Sequence, residues 1–152
     1  MNSKNKENLI IYSDIIEFIQ FFIGILSIFG SLYFSVVMKW PPCDLCWYQR
    51  IFIYPVPIII LTNWIIKDSK TIYQITPFIL IGLVISIYHN LIYYKIIRVL
   101  VPCNEKAPCT AEQLNMFGFL TIPLLSLIAF TGLFLLQLIK FYILKKSKIP
   151  EI

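Results

Sequence analysis

Apolar positions in this chain run in four long blocks separated by short polar stretches. The blocks cover about Ile15 to Met38, Trp47 to Ile66, Ile75 to Tyr94 and Phe117 to Ile139. Each reaches the roughly twenty residues an α-helix needs to cross a hydrocarbon core about 30 Å thick. The pattern predicts an all-α membrane protein: a bundle of four transmembrane helices forming one integral membrane domain over residues 1–152. The tails and loops are too short to build a core of their own. Pro55 and Pro57 are expected to kink the second span, and Pro77 and Pro123 to sit near span ends, since a span tolerates proline where neighbours re-satisfy the backbone. The first block reads as a retained span rather than a cleaved leader. It is longer than a leader's apolar region, Asp14 and Glu17 lie at its start, and no small-residue cleavage site follows.

Composition agrees with this reading. The chain is 59% hydrophobic and 14% charged, well away from the roughly one-quarter charged content of soluble domains. The net charge of +5 does not point to nucleic acid, because the lysines occupy the flanks of apolar blocks, as cytoplasmic loops of membrane proteins do. Four spans place both termini on one side. That side holds Lys4, Lys6, Lys67, Lys70, Lys140, Lys145, Lys146 and Lys148; the other holds Lys39, Arg50, Lys95, Arg98 and Lys106. Eight basic residues against five favour cytoplasmic termini, with the loops after spans one and three outside. Trp47 and Trp64 mark the ends of span two; seventeen rises separate them, or roughly 25 Å.

The chemistry lies in those two outer loops. Cys43 and Cys46 fall in the first, Cys103 and Cys109 in the second, and the chain has no other cysteine. Outside the cytoplasm, disulfides form and persist, so two pairs on one face suit a disulfide relay. The first pair sits in Trp40-Pro41-Pro42-Cys43-Asp44-Leu45-Cys46-Trp47-Tyr48-Gln49-Arg50. A Cys-x-x-Cys at a helix start gains thiolate character from the helix dipole, and the thiolate is the species that attacks disulfides. Arg50, four residues after Cys46 and on the same helical face, can stabilise a thiolate or polarise an acceptor; the Asp44 carboxylate opposes it. A membrane-edge arginine flags function, although it can also snorkel to the headgroups. The second pair sits in Val101-Pro102-Cys103-Asn104-Glu105-Lys106-Ala107-Pro108-Cys109, a polar loop suited either to docking a partner's thiol or to a structural clip. His89, the only histidine, lies in the outer half of span three at a depth similar to that of Arg50. Its imidazole can bond a quinone oxygen and move a proton, or pack against a neighbouring helix.

The stretch Pro42-Cys43-Asp44-Leu45-Cys46-Trp47-Tyr48-Gln49-Arg50 resembles the signature of the DsbB family, in particular its BdbC branch from Gram-positive bacteria. The resemblance extends over nearly the whole chain: four spans, a Cys-x-x-Cys before the second, a second pair before the fourth, and Tyr88-His89-Asn90 in the third. It implies a four-helix bundle in the cytoplasmic membrane that reoxidises a DsbA/BdbD-like thioredoxin-fold thiol oxidase and delivers the electrons to a quinone (menaquinone or ubiquinone). Carried over by motif position, Cys103 forms the mixed disulfide with the partner and Cys109 attacks Cys43. Cys46, released as a thiolate, meets the quinone that Arg50 and His89 help to hold. Only five residues separate Cys103 from Cys109, where the best-known proteobacterial members carry a much longer loop. Direct transfer from the partner through Cys103 to Cys43 therefore stays open. A quinone acceptor also fits the energetics, because an oxidant near −120 mV cannot be recharged by an ordinary thiol buffer.

Three other readings fit less well. Enzymes of the vitamin K epoxide reductase type place the quinone-facing Cys-x-x-Cys late in the bundle, whereas here it is early. A Cys₄ zinc site calls for two short knuckles, and the Cys103–Cys109 spacing is wider, so no metal is expected. A scaffold stiffened by two disulfides leaves Arg50 and the helix-start position of Cys46 without a role.

Overall fold

A computed structural model describes residues 3–66, 70–97 and 121–147. Among them are five α-helices: α1 (Ser3–Leu32), α2 (Asp44–Ile53), α3 (Pro55–Ile66), α4 (Thr71–Tyr93) and α5 (Ile122–Ser147). A π-helical turn, Tyr33–Val37, continues α1. Four stretches are long and apolar enough to cross a membrane: Asn8–Val37, Asp44–Ile66, Thr71–Tyr93 and Ile122–Lys145. The expected spans match these, with shifted ends. The first begins seven residues before Ile15 because Leu9, Ile10, Ile11 and Tyr12 extend the apolar helix past Ser13 and Asp14. The fourth runs past Ile139 for the same reason, and its expected start at Phe117 lies outside the described residues. Cys103 and Cys109 also lie outside them.

Span two loses hydrogen bonds at its prolines but keeps one helical course. Proline has no N–H to give to the carbonyl four residues back, so α2 ends at Ile53 and α3 begins on Pro55, while Tyr54 between them keeps helical dihedrals (φ −65°, ψ −39°) and donates to the Arg50 carbonyl at 3.0 Å. Proline's fixed φ suits it to a first helical turn. Pro77 falls inside α4 instead of near its end, because the helix starts at Thr71. At the other end of spans one and three, Lys39 and Lys95 both take a left-handed φ of 56°. That backbone turns the chain out of a helix, and a lysine there complements the helix C-terminus.

Lipid offers helices no hydrophobic reason to associate, so close packing and interhelical hydrogen bonds must hold the bundle. Ile53, Val56 and Ile60 of span two meet Ile75 and Ile79 of α4 and Phe130 and Leu133 of α5 in one buried cluster. Phe130 lies so close over Gly82 that a Cβ there would be 2.0 Å from its ring. Polar links cross between helices at the end away from Cys43. Gln20 of α1 donates to Gln137 of α5 at 2.9 Å, and Gln137 donates to Thr76 Oγ1 and to the Ile72 carbonyl of α4, both at 2.7 Å. Glu17 pairs with Lys140 in a buried salt bridge and accepts from Trp64 Nε1 at 2.9 Å. Glu17 in the middle of α1 meets Lys140, and Gln20 one turn later meets Gln137 three residues earlier, so the first and last spans run antiparallel. Leu26 and Ile65, each 75% exposed, belong to the apolar outer surface that such a bundle turns to lipid.

Candidate functional site

The site is built at the junction of the first loop and α2. Pro41 and Pro42 cannot join a helix ladder from its N-terminal side, and Cys43 follows as the N-cap, extended at φ −72° and ψ 166°. Its sulfur accepts from the backbone N–H of Cys46 at 3.4 Å. The Asp44 carboxylate stands in the first turn, where negative charge favours a helix start. This cap places Cys46 in the first turn with Sγ 2.9 Å from Cys43 Sγ; both are free thiols. Cys43 and Leu45 bury against Ile92 of α4, with Ile85 and Tyr88 around them.

His89 comes in from α4. It is 1% exposed, with Nε2 3.7 Å from Cys43 Sγ and Nδ1 3.3 Å from Gln49 Nε2. With Gln49 donating to Nδ1, the ring proton sits on Nε2, pointing at the Cys43 sulfur. The three ligand atoms of Cys43, Cys46 and His89 lie within 4.8 Å of one another. Cys43 lies just outside the membrane-spanning stretch, and its thiol is held far below the ordinary range, at about 4. The hydrogen bond from Cys46 is the chief cause and His89 adds to it, while burial acts in the opposite sense.

On the other side of Cys46 a cavity of about 560 Å³ opens between α1, α2 and α5. Its volume is in the range of small-molecule sites. Its polar lining consists of Cys46, Gln49 and Arg50 of α2 with Ser27, Ser31 and Ser126 of α1 and α5. Arg50 donates to the Ser31 carbonyl at 3.0 Å and lies over the Trp47 ring at 5.4 Å, so its guanidinium is tied across to α1. Phe34 and Trp40, stacked at 5.6 Å, wall the cavity. Phe34 belongs to the π-helical turn, a feature often found at functional sites. Deeper down, Gly30 and Gly132 leave open space, and exposed Leu26 and Ile128 border the cavity on the outer surface.

The structure thus brings together four of the residues singled out by sequence: Cys43, Cys46, Arg50 and His89. Gln49, which lines the cavity beside Arg50, connects it to His89. Arg50 lines the cavity, whereas His89 stands behind Cys43, away from the lining. Gln49 was not singled out, yet it is buried, lines the cavity and holds His89. Its place beside Arg50 in the motif was the available signal.

The depressed Cys43 thiol has a measurable consequence. In reduced protein with Cys103 and Cys109 changed to serine, ultraviolet thiolate absorbance should appear with a midpoint near pH 4, not near the ordinary value of about 8.5. His89→Leu should move that midpoint up by ~1 unit. A depressed pKa stabilises the thiolate form fully above the ordinary thiol pKa; the stabilisation declines as pH falls and is gone below about 4. At neutral pH the reduced pair is therefore favoured, which makes the disulfide a strong oxidant. An ordinary midpoint would remove this contribution.

The chain matches the family model described as "Disulfide bond formation protein DsbB" over residues 14–139. It is 41% identical over 110 residues to disulfide bond formation protein C of Bacillus subtilis, covering 71% of this chain and 79% of that one. To the probable disulfide formation protein C of Halalkalibacterium halodurans it is 36% identical over 138 residues, 90% of this chain and 96% of that one. The prophage-derived disulfide bond formation protein B of Bacillus subtilis is 37% identical over 114 residues, 75% and 77% of the two chains. No solved structure shows significant similarity. Two contacting thiols at a helix start, in a bundle of four membrane-crossing stretches, agree with these matches: this chain belongs to the DsbB family of membrane disulfide bond formation proteins.

Proposed function

We propose that this protein is a protein-dithiol:quinone oxidoreductase of the cytoplasmic membrane. It reoxidises an extracytoplasmic, DsbA/BdbD-like thioredoxin-fold thiol oxidase through its two cysteine pairs and passes the electrons to a membrane quinone. The observation that carries the reading is the double placement of Cys46, in contact with Cys43 Sγ and on the wall of an apolar cavity that also holds Arg50. The excess of lysines flanking the termini supports cysteine loops on the outer face.

The cavity suits a quinone: its walls are apolar and aromatic, and one guanidinium stands at the end where Cys46 lies. A quinone bound there supplies a two-electron, two-proton sink. The chain's own residues do the rest. Cys103 and Cys109 take the partner's electrons, by the two-cysteine route or by direct transfer through Cys103. Attack on the Cys43 sulfur of the Cys43–Cys46 disulfide releases Cys46 as the leaving thiolate, on the cavity side, and leaves a mixed disulfide on Cys43. The second thiol of the attacking pair resolves it, taking that pair to its disulfide and freeing Cys43 as a thiolate. Arg50, fixed on Ser31 and Trp47, stabilises negative charge at that end. His89 holds a proton at Cys43 Sγ and Gln49 fixes its tautomer. When two electrons leave through Cys46, the Cys43 thiolate closes the disulfide again.

The test is quinone reduction by the purified protein supplied with a reduced thioredoxin-fold oxidase, followed by quinone absorbance. Turnover in the wild type that is lost in Cys103→Ser is expected. Folded protein with intact disulfides that turns over neither menaquinone nor ubiquinone would overturn the proposal. The cavity can be tested separately. A Cβ on Gly132 meets nothing within 4 Å, so Gly132→Leu should fold at least as well as the parent, since glycine costs a helix ~1 kcal/mol relative to better formers. Leucine fills space the quinone needs, and KM for quinone should rise by roughly tenfold or more, the scale of a pocket changed by a few methylenes. An unchanged KM would place the acceptor elsewhere.

A further inference from the structure

Cys43 Sγ, Cys46 Sγ and His89 Nε2 converge on one point from two different helical spans. A tetrahedral zinc ion with Zn–S near 2.3 Å and Zn–N near 2.0–2.1 Å sets its sulfur and nitrogen ligands about 3.6 Å apart. Cys43 Sγ and His89 Nε2 already stand 3.7 Å apart. The two sulfurs, at 2.9 Å, need to open by roughly 0.9 Å to reach the tetrahedral S···S spacing, a small side-chain rotation for Cys46 on the cavity wall.

We infer that the reduced pair, together with His89, forms a Cys₂His site for a thiophilic divalent ion of the zinc class. The second shell fits. Ligating histidines bond their other ring nitrogen to a neighbouring group that fixes the tautomer, and Gln49 stands on His89 Nδ1. Its amide can present either end: Nε2 donates when Nε2 of His89 carries the proton, and after a flip Oε1 accepts from Nδ1–H, leaving His89 Nε2 free to ligate. Three protein ligands leave a fourth position for water, as in open zinc sites. Both sulfurs bind as thiolates, any remaining thiol proton is released, and no electrons move. The disulfide form has no thiolate to offer, so the site exists only in the reduced half of the cycle. Resting on the proposed relay, occupancy would hold the pair as thiolates and stop disulfide re-formation until the ion is removed.

Binding can be tested without the relay, so failure of one is distinguishable from failure of the other. The full chain with Cys103→Ser and Cys109→Ser, reduced and held anaerobically in nanodiscs, is titrated with Co²⁺ alone. One equivalent should give sulfur-to-cobalt charge-transfer absorption and the visible bands of a tetrahedral ion, both removed by Zn²⁺. The same protein with Cys43 and Cys46 oxidised is a control with the same fold and should give neither. His89→Gln should weaken binding at least tenfold. X-ray absorption of the zinc-loaded wild type should show two sulfur ligands and an imidazole, which keeps the inference testable if the histidine variant fails to fold. No cobalt bands in the reduced protein, equal bands in the oxidised protein, unweakened binding in a folded His89→Gln, or a zinc shell without imidazole would each overturn it.

Discussion

Replacing Cys46 with serine will cut quinone reduction by roughly a thousandfold or more, the scale seen when a covalent participant is removed, while the bundle stays folded. Serine keeps the size of the side chain. Its backbone N–H can still reach the Cys43 sulfur, so the start of α2 should persist. What disappears is the only cysteine sulfur on the cavity wall among the described residues. A hydroxyl cannot form a disulfide, so Cys43 stays a free thiol and presents no S–S bond for an incoming thiol to attack. The thiol donor should then stay reduced, and Cys43 should remain fully open to alkylation throughout the assay. Stopped-flow quinone absorbance and thermal unfolding of the two proteins decide the matter. Turnover within tenfold of wild type would mean that the electron path avoids Cys46.

The second large effect is on stability. Lys140→Met should destabilise the bundle by ~3 kcal/mol or more, because removing one partner of a buried pair strands the other charge. Here the stranded group is Glu17, which with Lys140 ties the first span to the last. Adding Glu17→Gln to Lys140→Met should restore most of the loss. The glutamine carries no charge, yet its carbonyl oxygen can still accept from Trp64 Nε1, as Glu17 does now. A double-mutant cycle from unfolding in mixed micelles should give a coupling of ~2 kcal/mol between the two positions. A double variant whose loss equals the sum of the two single losses would show that the pair contributes no coupling.

The difference in legibility between these two regions follows from distance along the chain. Span number and approximate position were readable because apolar length is a local property. The start of α2 was readable for the same reason: two prolines, a capping cysteine and an acidic first turn lie within five residues. Arg50 could be placed on the face of Cys46 from helical spacing alone. The Glu17–Lys140 pair was not readable. Sequence assigned Glu17 to the start of the first block and Lys140 to the basic flank of the last, and nothing local says that residues 123 positions apart will meet. His89 illustrates the intermediate case. Its depth was predicted close to that of Arg50, but the rotation of α4 about its axis decides which neighbour it faces, and that is set by packing such as Phe130 over Gly82. Gln49 was hidden because a glutamine beside an arginine has no chemistry until a partner is known. The interruption of the ladder at Pro55 was readable, since a proline carries no N–H wherever it falls in a helix.

The exposed apolar lining of the cavity has a kinetic consequence. Leu26 and Ile128 both line it and are exposed within stretches apolar enough to cross a membrane, so an acceptor entering past them arrives from within the bilayer. Its supply is then governed by mole fraction in lipid and by lateral diffusion, not by molarity in water. Diluting the membrane with extra phospholipid at fixed total quinone should slow the enzyme, while enlarging the aqueous volume should leave that half-reaction untouched. The thiol donor behaves in the opposite way if it docks from solution. The two substrates of one turnover would thus be saturated in spaces of different dimension.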